Sequence, residues 1–213
     1  MTVVAPREPV VLTGPRVVLS IPGEGDIDRI AEVCQDATVA RWTTIPVPYS
    51  RADAEGFVFD LVTGGWARGT NCTWAIRSEP RGPLKGMIGL DGIGDGHAEV
   101  GYWLAPDARG RGLMTEAVAL VVAYAFAAEP GPSVASSGLG LKRLVWHAYV
   151  GNAASASVAR RAGFRYEGLR RLGGLQRGVR LDDWQAGLLR DDPREPTSDW
   201  PVDTYVQWEP PQP

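Results

Sequence analysis

Residues 99–117 (EVGYWLAPDARGRGLMTEA) constrain the fold more than any other stretch of this chain. They run from an alternating apolar strand, through a turn of glycines and arginines, directly into a helix. In that order the unpaired N–H groups of the first helical turn, together with the helix dipole, form a main-chain cradle that favours a phosphate group. The alternative is that residues 109–112 form a solvated turn ahead of an ordinary core helix. The segment thus predicts either a phosphate-bearing ligand or a plain strand–helix connection.

Composition narrows the class of protein. The chain has 213 residues, is 44% hydrophobic and carries a formal net charge of -3, which suits one large globular domain. A slightly acidic chain gives no indication of a nucleic-acid partner. There is no apolar run of membrane-spanning length, and the start lacks the regions of a signal peptide, so we expect a cytoplasmic protein without a membrane partner. Cys34 and Cys72 are expected to be buried free thiols, without metal-ligand spacing.

Proline-rich and aromatic stretches suggest the domain boundaries. We predict an N-terminal tail over residues 1–13, a folded domain over 14–192 and a Pro-rich C-terminal tail over 193–213. Trp200, Tyr205 and Trp208 in that tail predict docking onto the domain or onto a second subunit, so a monomer and a homodimer both stay open. Residues 129–140 form a low-complexity break.

Hydrophobic periodicity predicts an α+β layout. Strands are expected at 16–21, 72–78, 84–93, 97–105, 142–150, 164–174 and 179–190. Helices are expected at 25–34 with Asp26 as N-cap, at 51–63, after residue 112, and after Asn152 as N-cap with Ala154, Val158 and Ala162 facing inward. Residues 41–50 are predicted to be a loop.

Two motifs carry a family resemblance. RGRGLM, residues 109–114, resembles the central acyl-CoA motif of the GNAT acetyltransferase superfamily, with Met114 in place of the usual small last residue. Residues 151–168 resemble the Asn-x-x-Ser … Gly-Phe signature of the branch of ribosomal-protein alanine N-acetyltransferases, in which Met is familiar at that place. The resemblance covers about residues 12–192. It implies a GNAT-type acyl-CoA acyltransferase fold, whose central, mixed but mostly antiparallel sheet is splayed between the fourth and fifth strands and has helices on both faces.

The same resemblance implies acetyl-CoA (coenzyme A after transfer) as co-substrate, with no metal. The cofactor-binding candidates are Trp103, Leu104 and Ala105 for the pantetheine, Arg109, Gly110, Arg111, Gly112, Leu113 and Met114 for the pyrophosphate, and Asn152 for the pantetheine arm. Both glycines of the turn allow the backbone angles that aim successive N–H groups at an anion. Asn152 has the alternative role of an ordinary helix cap.

Acetyl transfer to an amine needs a base, a stabilised oxyanion and a proton for the thiolate. Glu99 is the candidate base because it leads into the cofactor gap, although it also suits a solvent-exposed edge carboxylate. Ser155 is the candidate acid for the thiolate, or merely a residue of the helix cap. His147 is the alternative base, or a half-buried packing residue. Direct attack in a ternary complex needs no covalent nucleophile.

The resemblance therefore implies an acyl-CoA-dependent N-acetyltransferase acting on a primary amine, either a protein α-amino group or a small molecule. The alternatives are a non-catalytic acyl-CoA-binding or regulatory module, and transfer of another acyl group such as succinyl. Aromatic residues with Arg41 are expected to line the acceptor pocket or to belong to the core: Trp42, Tyr49, Trp66 and Trp74.

Overall fold

The computed structural model describes residues 7–128 and 138–206. Within them, eight strands form one sheet in the order β1-β2-β3-β4-β5-β6-β8-β7. The strands are β1 (Leu12–Thr13), β2 (Val18–Ser20), β3 (Cys72–Arg77), β4 (Gly86–Gly94), β5 (His97–Leu104), β6 (Arg143–Tyr149), β7 (Arg165–Gln176) and β8 (Val179–Leu189). The helices are α1 (Ile27–Val33), α2 (Ala37–Trp42), α3 (Arg51–Gly56), α4 (Thr63–Arg68), α5 (Leu113–Phe126) and α6 (Ala153–Arg161).

The sheet is mixed, as predicted. Every described neighbouring pair of strands is antiparallel except β5 and β6, which run parallel. Side chains of β3 are buried along its whole length, as in a strand whose two faces are both covered. The predicted α+β fold, with a sheet opened between the fourth and fifth predicted strands, is confirmed; the short β1 makes these strands β5 and β6.

An aromatic stack lies at the centre of the core. The Trp74 ring on β3 makes edge contacts with Trp66 of α4, at a centroid distance of 5.1 Å, and with Tyr124 of α5, at 5.7 Å. Trp66 and Trp74 are at most 1% exposed, and Tyr49 is buried as well. Such pairs stabilise a core beyond the area that they bury. Of the aromatic residues left open between core and acceptor pocket, these three therefore belong to the core.

Both flanking segments pack on the domain. In the N-terminal one, Trp74 Nε1 donates to the carbonyl of Val10 at 2.8 Å, and Leu12–Thr13 add a strand to the sheet. In the C-terminal one, Trp200 is buried and donates to the carbonyl of Phe164 at 3.2 Å. The described parts of both predicted tails are thus ordered against the domain. Trp208 and most of the low-complexity break lie outside the described residues.

Several local predictions are wrong. Part of the predicted loop is helix α2, whose N-cap Asp36 accepts from the amide of Val39. The second predicted helix continues through a π-helical turn (Phe57–Val62) as far as Arg68. Asp26 makes no side-chain cap to α1 and instead forms a buried ion pair with Arg77 of β3, at 2.7 Å.

The inward face of α6 also differs from the prediction. Ala154 is exposed and Val158 is half-buried, whereas the buried positions are Ala153, Ala156, Ala159 and Ala162. The alanine-rich segment offers two apolar stripes of similar strength, and packing against the sheet selects one of them. The helix ends at Arg161, and Gly163 follows its C-cap with φ of +90°.

Cys34 and Cys72 are free and buried, as expected. Burial raises the pKa of each thiol to about 12, which keeps both unreactive near neutrality. No helix among residues 7–128 and 138–206 combines the length and the apolar character needed to cross a membrane.

Candidate functional site

The sheet opens into a fork between β5 and β6. These strands pair only at their first three positions, ending where Glu99 lies opposite Val145. Beyond that point β5 continues along β4 as far as Leu104, and β6 continues along β8 as far as Tyr149. The two inner edges are then free of each other, and Glu99 marks the base of the gap.

A cleft of about 860 Å³ fills the fork and extends to the start of α5. Most of the residues singled out from the sequence line it: Glu99, Trp103, Leu104, Arg109, Gly110, Gly112, Leu113, Met114, His147, Asn152 and Ser155. Ala105 and Arg111 are not among the lining residues. The cleft therefore joins the predicted phosphate cradle to the predicted catalytic residues in one continuous space.

The cradle has the predicted backbone geometry. Gly110 and Gly112 have φ of +73° and +72°, the left-handed region that glycine adopts at little cost. A side chain built at Gly110 would meet nothing within 4 Å, so the turn leaves open space on its outer side. Gly112 gives α5 no side-chain cap, and the amides of the first helical turn have no intrahelical acceptor. These amides line the end of the cleft and suit a diphosphate.

Arg16 and Glu116 hold the start of α5 in place. The Glu116 carboxylate accepts from Arg16 Nε at 2.7 Å and from the amides of Arg16 and Val17. Burial opposes the charge of Glu116, but these bonds hold its pKa below the usual range. Arg16 also donates to the carbonyl of Arg111 at 3.1 Å. The cradle is thus braced by the two residues just before β2 and is preorganised.

The two arginines of the turn are placed differently. The Arg109 guanidinium donates to Asp36 at 2.7 Å and to the carbonyl of Leu104 at 3.3 Å, so it joins the turn to the N-terminus of α2. Burial opposes the charge of Asp36, but the bonds from Arg109 and Val39 hold its pKa below the usual value. The Arg111 side chain is exposed and does not line the cleft. The side chain of Arg109 is therefore already engaged by protein groups.

Strand alternation decides which main-chain groups of β5 face the fork. The N–H of Ala105 donates to Lys85 at 2.8 Å, and its carbonyl accepts from Ala108 at 2.9 Å. The main-chain groups of Ala105 are thus paired away from the fork, and Ala105 does not line the cleft. Because main-chain directions alternate along a strand, those of Leu104 and Tyr102 face the fork instead, and those of Trp103 face β4. Tyr102 was missed from the sequence, although alternation from Leu104 would have indicated it.

Ser155 lies in a network of neutral hydroxyl and indole groups on one wall of the cleft. Asn152 caps α6 by accepting from the amide of Ser155 at 3.1 Å. Trp146 Nε1 on β6 donates to both Ser155 Oγ and the Tyr102 hydroxyl, each at 3.1 Å. Ser155 Oγ donates to the Tyr102 hydroxyl, which in turn donates to the carbonyl of Ser155. Burial raises the pKa of Tyr102, against the lowering effect of these bonds, so this phenol stays neutral.

Glu99 and His147 meet on the other face of the sheet. Nδ1 of His147 lies 3.0 Å from Oε2 of Glu99, and half of the Glu99 side chain is exposed in the cleft. Burial opposes a charge on His147, but the hydrogen bond and the charge of Glu99 outweigh it and raise the pKa of the imidazole. The sequence offered these two residues as alternatives, and the structure brings them into contact. His97, in contrast, is exposed at the start of β5.

A second carboxylate adjoins this pair. Asp91 of β4 is the cross-strand partner of Glu99 and also lines the cleft. Desolvation by the surrounding cleft and the charge of Glu99 raise the pKa of Asp91, against the lowering effect of a bond from Asn71. Gly89 and Gly101 pair beside it and present no side chain. This floor is acidic and open, and it suits a cationic amine.

The predicted acceptor side of the cleft is bounded by the β7–β8 hairpin, which holds the end of α2 and the residue after it. Gln176 donates to the carbonyls of Arg41 and Thr43 at 2.7 and 2.9 Å, and Arg177 donates to the carbonyl of Ala40 at 2.9 Å. Trp42 lies in this region and lines the cleft. The Arg41 guanidinium lies over the Trp42 ring, 4.9 Å from the ring centroid. Trp42 is thus the one aromatic of the predicted acceptor wall that the structure places there.

Residues 7–128 and 138–206 contain no group of three or more His, Cys, Asp or Glu side chains placed to hold a metal ion. Arg161 also lines the cleft, whereas Arg160 bonds to the carbonyl of Thr204 in the C-terminal segment at 3.0 Å. Of these two neighbouring arginines, Arg161 is therefore the one that a ligand in the cleft can reach.

Comparison with known proteins agrees with this geometry. Residues 16–165 match the family described as acetyltransferase (GNAT) domain. YdaF of Bacillus subtilis (strain 168), whose name makes it a candidate ribosomal N-acetyltransferase, is 36% identical over 111 residues, which are 51% of this chain and 55% of that protein. The matching part thus spans about half the length of this relative.

Solved structures match the whole domain more closely in shape than in sequence. The ribosomal L7/L12 α-N-protein acetyltransferase RimL, in complex with coenzyme A, has a TM-score of 0.70 at 18% identity, covering 84% of this chain and 98% of its own. The Microcin C7 self-immunity acetyltransferase MccE, in complex with acetyl-CoA and AMP, has a TM-score of 0.70 at 18% identity, covering 83% and 93%. At this identity the likeness establishes the fold.

Proposed function

The chain belongs to the acetyltransferase (GNAT) domain family, and from this we propose that it transfers an acetyl group from acetyl-CoA to a primary amine. The observation that carries the proposal is the single cleft that joins a braced main-chain cradle to Glu99 and Ser155 on opposite faces of a forked sheet. MccE and RimL are described with acetyl-CoA and coenzyme A bound, which supports the choice of cofactor.

The cofactor's parts fit the parts of the cleft. We assign the pyrophosphate to the amides of residues 110–114, where the glycine turn and the helix dipole favour negative charge. The pantetheine amides fit the fork-facing main-chain groups of Tyr102 and the N–H of Leu104, as a peptide adds to a free strand edge. The carbonyl of Leu104 already accepts from Arg109. Bound in this way, acetyl-CoA supplies an activated acyl group at the base of the fork.

The residues at that base then divide the proton transfers. Glu99 removes a proton from the acceptor ammonium, whose nitrogen attacks the thioester carbonyl directly. As the C–S bond breaks, Ser155, with its hydroxyl held by Trp146 and Tyr102, gives its proton to the departing thiolate. Ser155 regains a proton from the attacking nitrogen, which loses its second proton as it becomes the neutral amide. The acidic floor formed by Asp91 and Glu99 favours a cationic amine over a neutral or anionic acceptor.

For the acceptor, we propose a protein α-amino group, as the names of RimL and YdaF suggest, with a small-molecule amine as the competing class. The test is release of free thiol from acetyl-CoA and from succinyl-CoA, with matched panels of short peptides and small amines. The N-acetylated form of each peptide serves as its control. Turnover restricted to free α-amino groups supports the proposal, and turnover restricted to small amines assigns the competing class. Coenzyme A binding by calorimetry without turnover of any amine would instead indicate a binding module.

A further inference from the structure

A chain of hydrogen bonds links the Glu99–His147 pair to residues of β6, β7 and β8 outside the cleft. At its far end is Arg143, whose two terminal nitrogens donate to the two oxygens of Glu167 at 2.7 and 2.5 Å. The hydrogen bond from Arg143 lowers the pKa of Glu167, with a further contribution from Gln185. Glu167 is therefore ionised near neutrality and can only accept hydrogen bonds.

The ionised Glu167 fixes the orientation of the next residue, Gln185. Its amide nitrogen Nε2 donates to Oε2 of Glu167 at 2.9 Å. The amide oxygen Oε1 must then face the other way, and it lies 3.2 Å from Nε2 of His147. Reversing the amide would put its oxygen against a carboxylate and its NH₂ group against the ring, so the charge on Glu167 selects one orientation.

The fixed Gln185 amide decides the tautomer of His147. An amide oxygen can only accept, so Nε2 of His147 carries the hydrogen in both the neutral and the charged ring. Nδ1 of the neutral ring is then a free lone pair, and it faces Oε2 of Glu99 at 3.0 Å. A single proton can lie between these two atoms. The bond from Nε2 to Gln185 keeps Nδ1 available for that proton.

The surrounding charges oppose one another at this pair, so the proton is held chiefly by Glu99 itself. The charged groups that face the pair from neighbouring strands are Asp91 on β4, Arg143 on β6, Glu167 and Arg170 on β7, and Asp183 on β8. Arg143 is paired with Glu167, and Arg170 is paired with the buried Asp183. Asp91 interacts with Glu99 and has no cationic partner among these groups, whereas the charge of Arg170 opposes a positive ring.

We propose that Glu99 and His147 accept the proton of the acceptor amine as one unit, and that Gln185 is the positioning residue that makes this unit possible. This inference rests on the proposed function. An N–H bond of the substrate ammonium breaks, its electron pair stays on the amine nitrogen, and the proton passes by way of the Glu99 carboxylate to Nδ1 of His147. The product is a neutral amine and an imidazolium–carboxylate pair, which returns its proton to water before the next turnover.

The first test observes the ring directly and needs no substrate. The chain has two histidines, so long-range ¹H–¹⁵N spectra of the labelled protein contain few ring signals, and the H97Q variant assigns them. We expect neutral His147 as the Nε2–H tautomer, and a titration midpoint that falls in E99Q. A neutral ring with its hydrogen on Nδ1, or a midpoint that E99Q leaves unchanged, would overturn the proposal.

The second test uses Gln185 variants with opposite expected signs. Because activity needs the unprotonated unit, kcat rises with pH through the titration midpoint of His147, and this rise is the acid limb of the pH profile. Gln185→Met removes the acceptor of the Nε2 hydrogen and moves the acid limb to lower pH. Gln185→Glu adds a negative acceptor and moves the acid limb to higher pH. We expect kcat at its optimum to fall about tenfold in Gln185→Met, less than the roughly 10²–10⁴-fold contribution of a general base, with KM for acetyl-CoA unchanged.

Gln35→Met is the control, because this exposed glutamine also donates a side-chain hydrogen bond, in its case to the main-chain carbonyl of Tyr49, and does not line the cleft. Shifts of the acid limb in the same direction in both Gln185 variants, or no shift in either, would indicate a purely structural role and overturn the proposal. If no amine is turned over but the ring titrates as expected, the proposed function fails while the paired unit stands.

Discussion

Trp146 and His147 are neighbours on β6, and the pleat of the strand sends them to opposite faces of the sheet. On the Trp146 face, the contacts to Ser155 and Tyr102 are made between neutral groups, and the Trp200 ring packs behind them at 5.5 Å. On the His147 face the contacts are made between charged or chargeable groups and end in an exposed ion pair.

This difference matches the two proton transfers that we propose. A group that gives a proton to a thiolate must keep that proton until the thiolate forms, and neutral partners in an apolar wall hold it without stabilising an anion. A group that takes a proton from an ammonium must be anionic beforehand, and polar partners exposed to solvent stabilise that anion. One residue of separation along β6 thus keeps the two environments apart while both open into the same cleft.

The largest expected effect lies on the neutral face. Trp200→Ala removes a ring that is 5% exposed and that contacts Trp146 and Tyr166. We expect the free energy of unfolding to fall by about 3–5 kcal/mol, as for other buried tryptophans, measured by urea denaturation. Because the ring supports Trp146, kcat should fall while the acid limb of the pH profile stays in place. A shift of that limb would show that the two faces are not independent.

Glu99→Gln tests the charged face. It preserves shape but removes the carboxylate, so we expect kcat to fall about 10²–10³-fold with little change in KM for acetyl-CoA. Steady-state kinetics measures both values, with Glu79→Gln, an exposed residue in the turn before β4, as the control. Unchanged turnover in Glu99→Gln would remove this residue from the mechanism.

The two faces also differ in how far the sequence could predict them. Asn152 and Ser155 lie three residues apart at the start of one helix, so a local motif was enough to indicate their shared position. Glu99 and His147 lie on strands joined by α5 and the low-complexity break. Their contact depends on the three-residue parallel register that ends at Glu99, which no local pattern encodes.

The same reason explains the elements that were missed. The six-residue helix α2 contains β-branched residues and follows no clear period, and it is held by Gln176 and Arg177 from more than a hundred residues away. Long periodic segments such as α5 were predictable because their own side chains define one buried face. The chain from Gln185 to Arg143 combines β6, β7 and β8, and only the folded sheet brings it together.

Ser155→Ala is expected to have a smaller effect than Glu99→Gln. Trp146 Nε1 retains its bond to the Tyr102 hydroxyl at 3.1 Å, so the wall should keep its shape. We expect kcat to fall about tenfold, because solvent can replace a proton donor to a thiolate more easily than it replaces a base. The drop should be smaller with an acyl donor whose thiol has a lower pKa. An equal drop with both donors would contradict the role of Ser155 as acid, and Ser78→Ala is the control.

Gly110→Ala should affect both faces equally and has the smallest expected effect, because the cradle binds the cofactor before either proton moves. A left-handed φ costs an alanine about 1 kcal/mol, and relief of that strain turns the amides of the cradle away from the anion. We expect KM for acetyl-CoA to rise several-fold with kcat nearly unchanged, since uniform binding is lost. Gly92 provides a matched control, with φ of +62° and equally open space around it but no contact with the cleft. Gly92→Ala should lose similar stability in urea and leave KM unchanged. If both variants raise KM alike, the effect comes from general strain, and the turn at Gly110 does not bind the pyrophosphate.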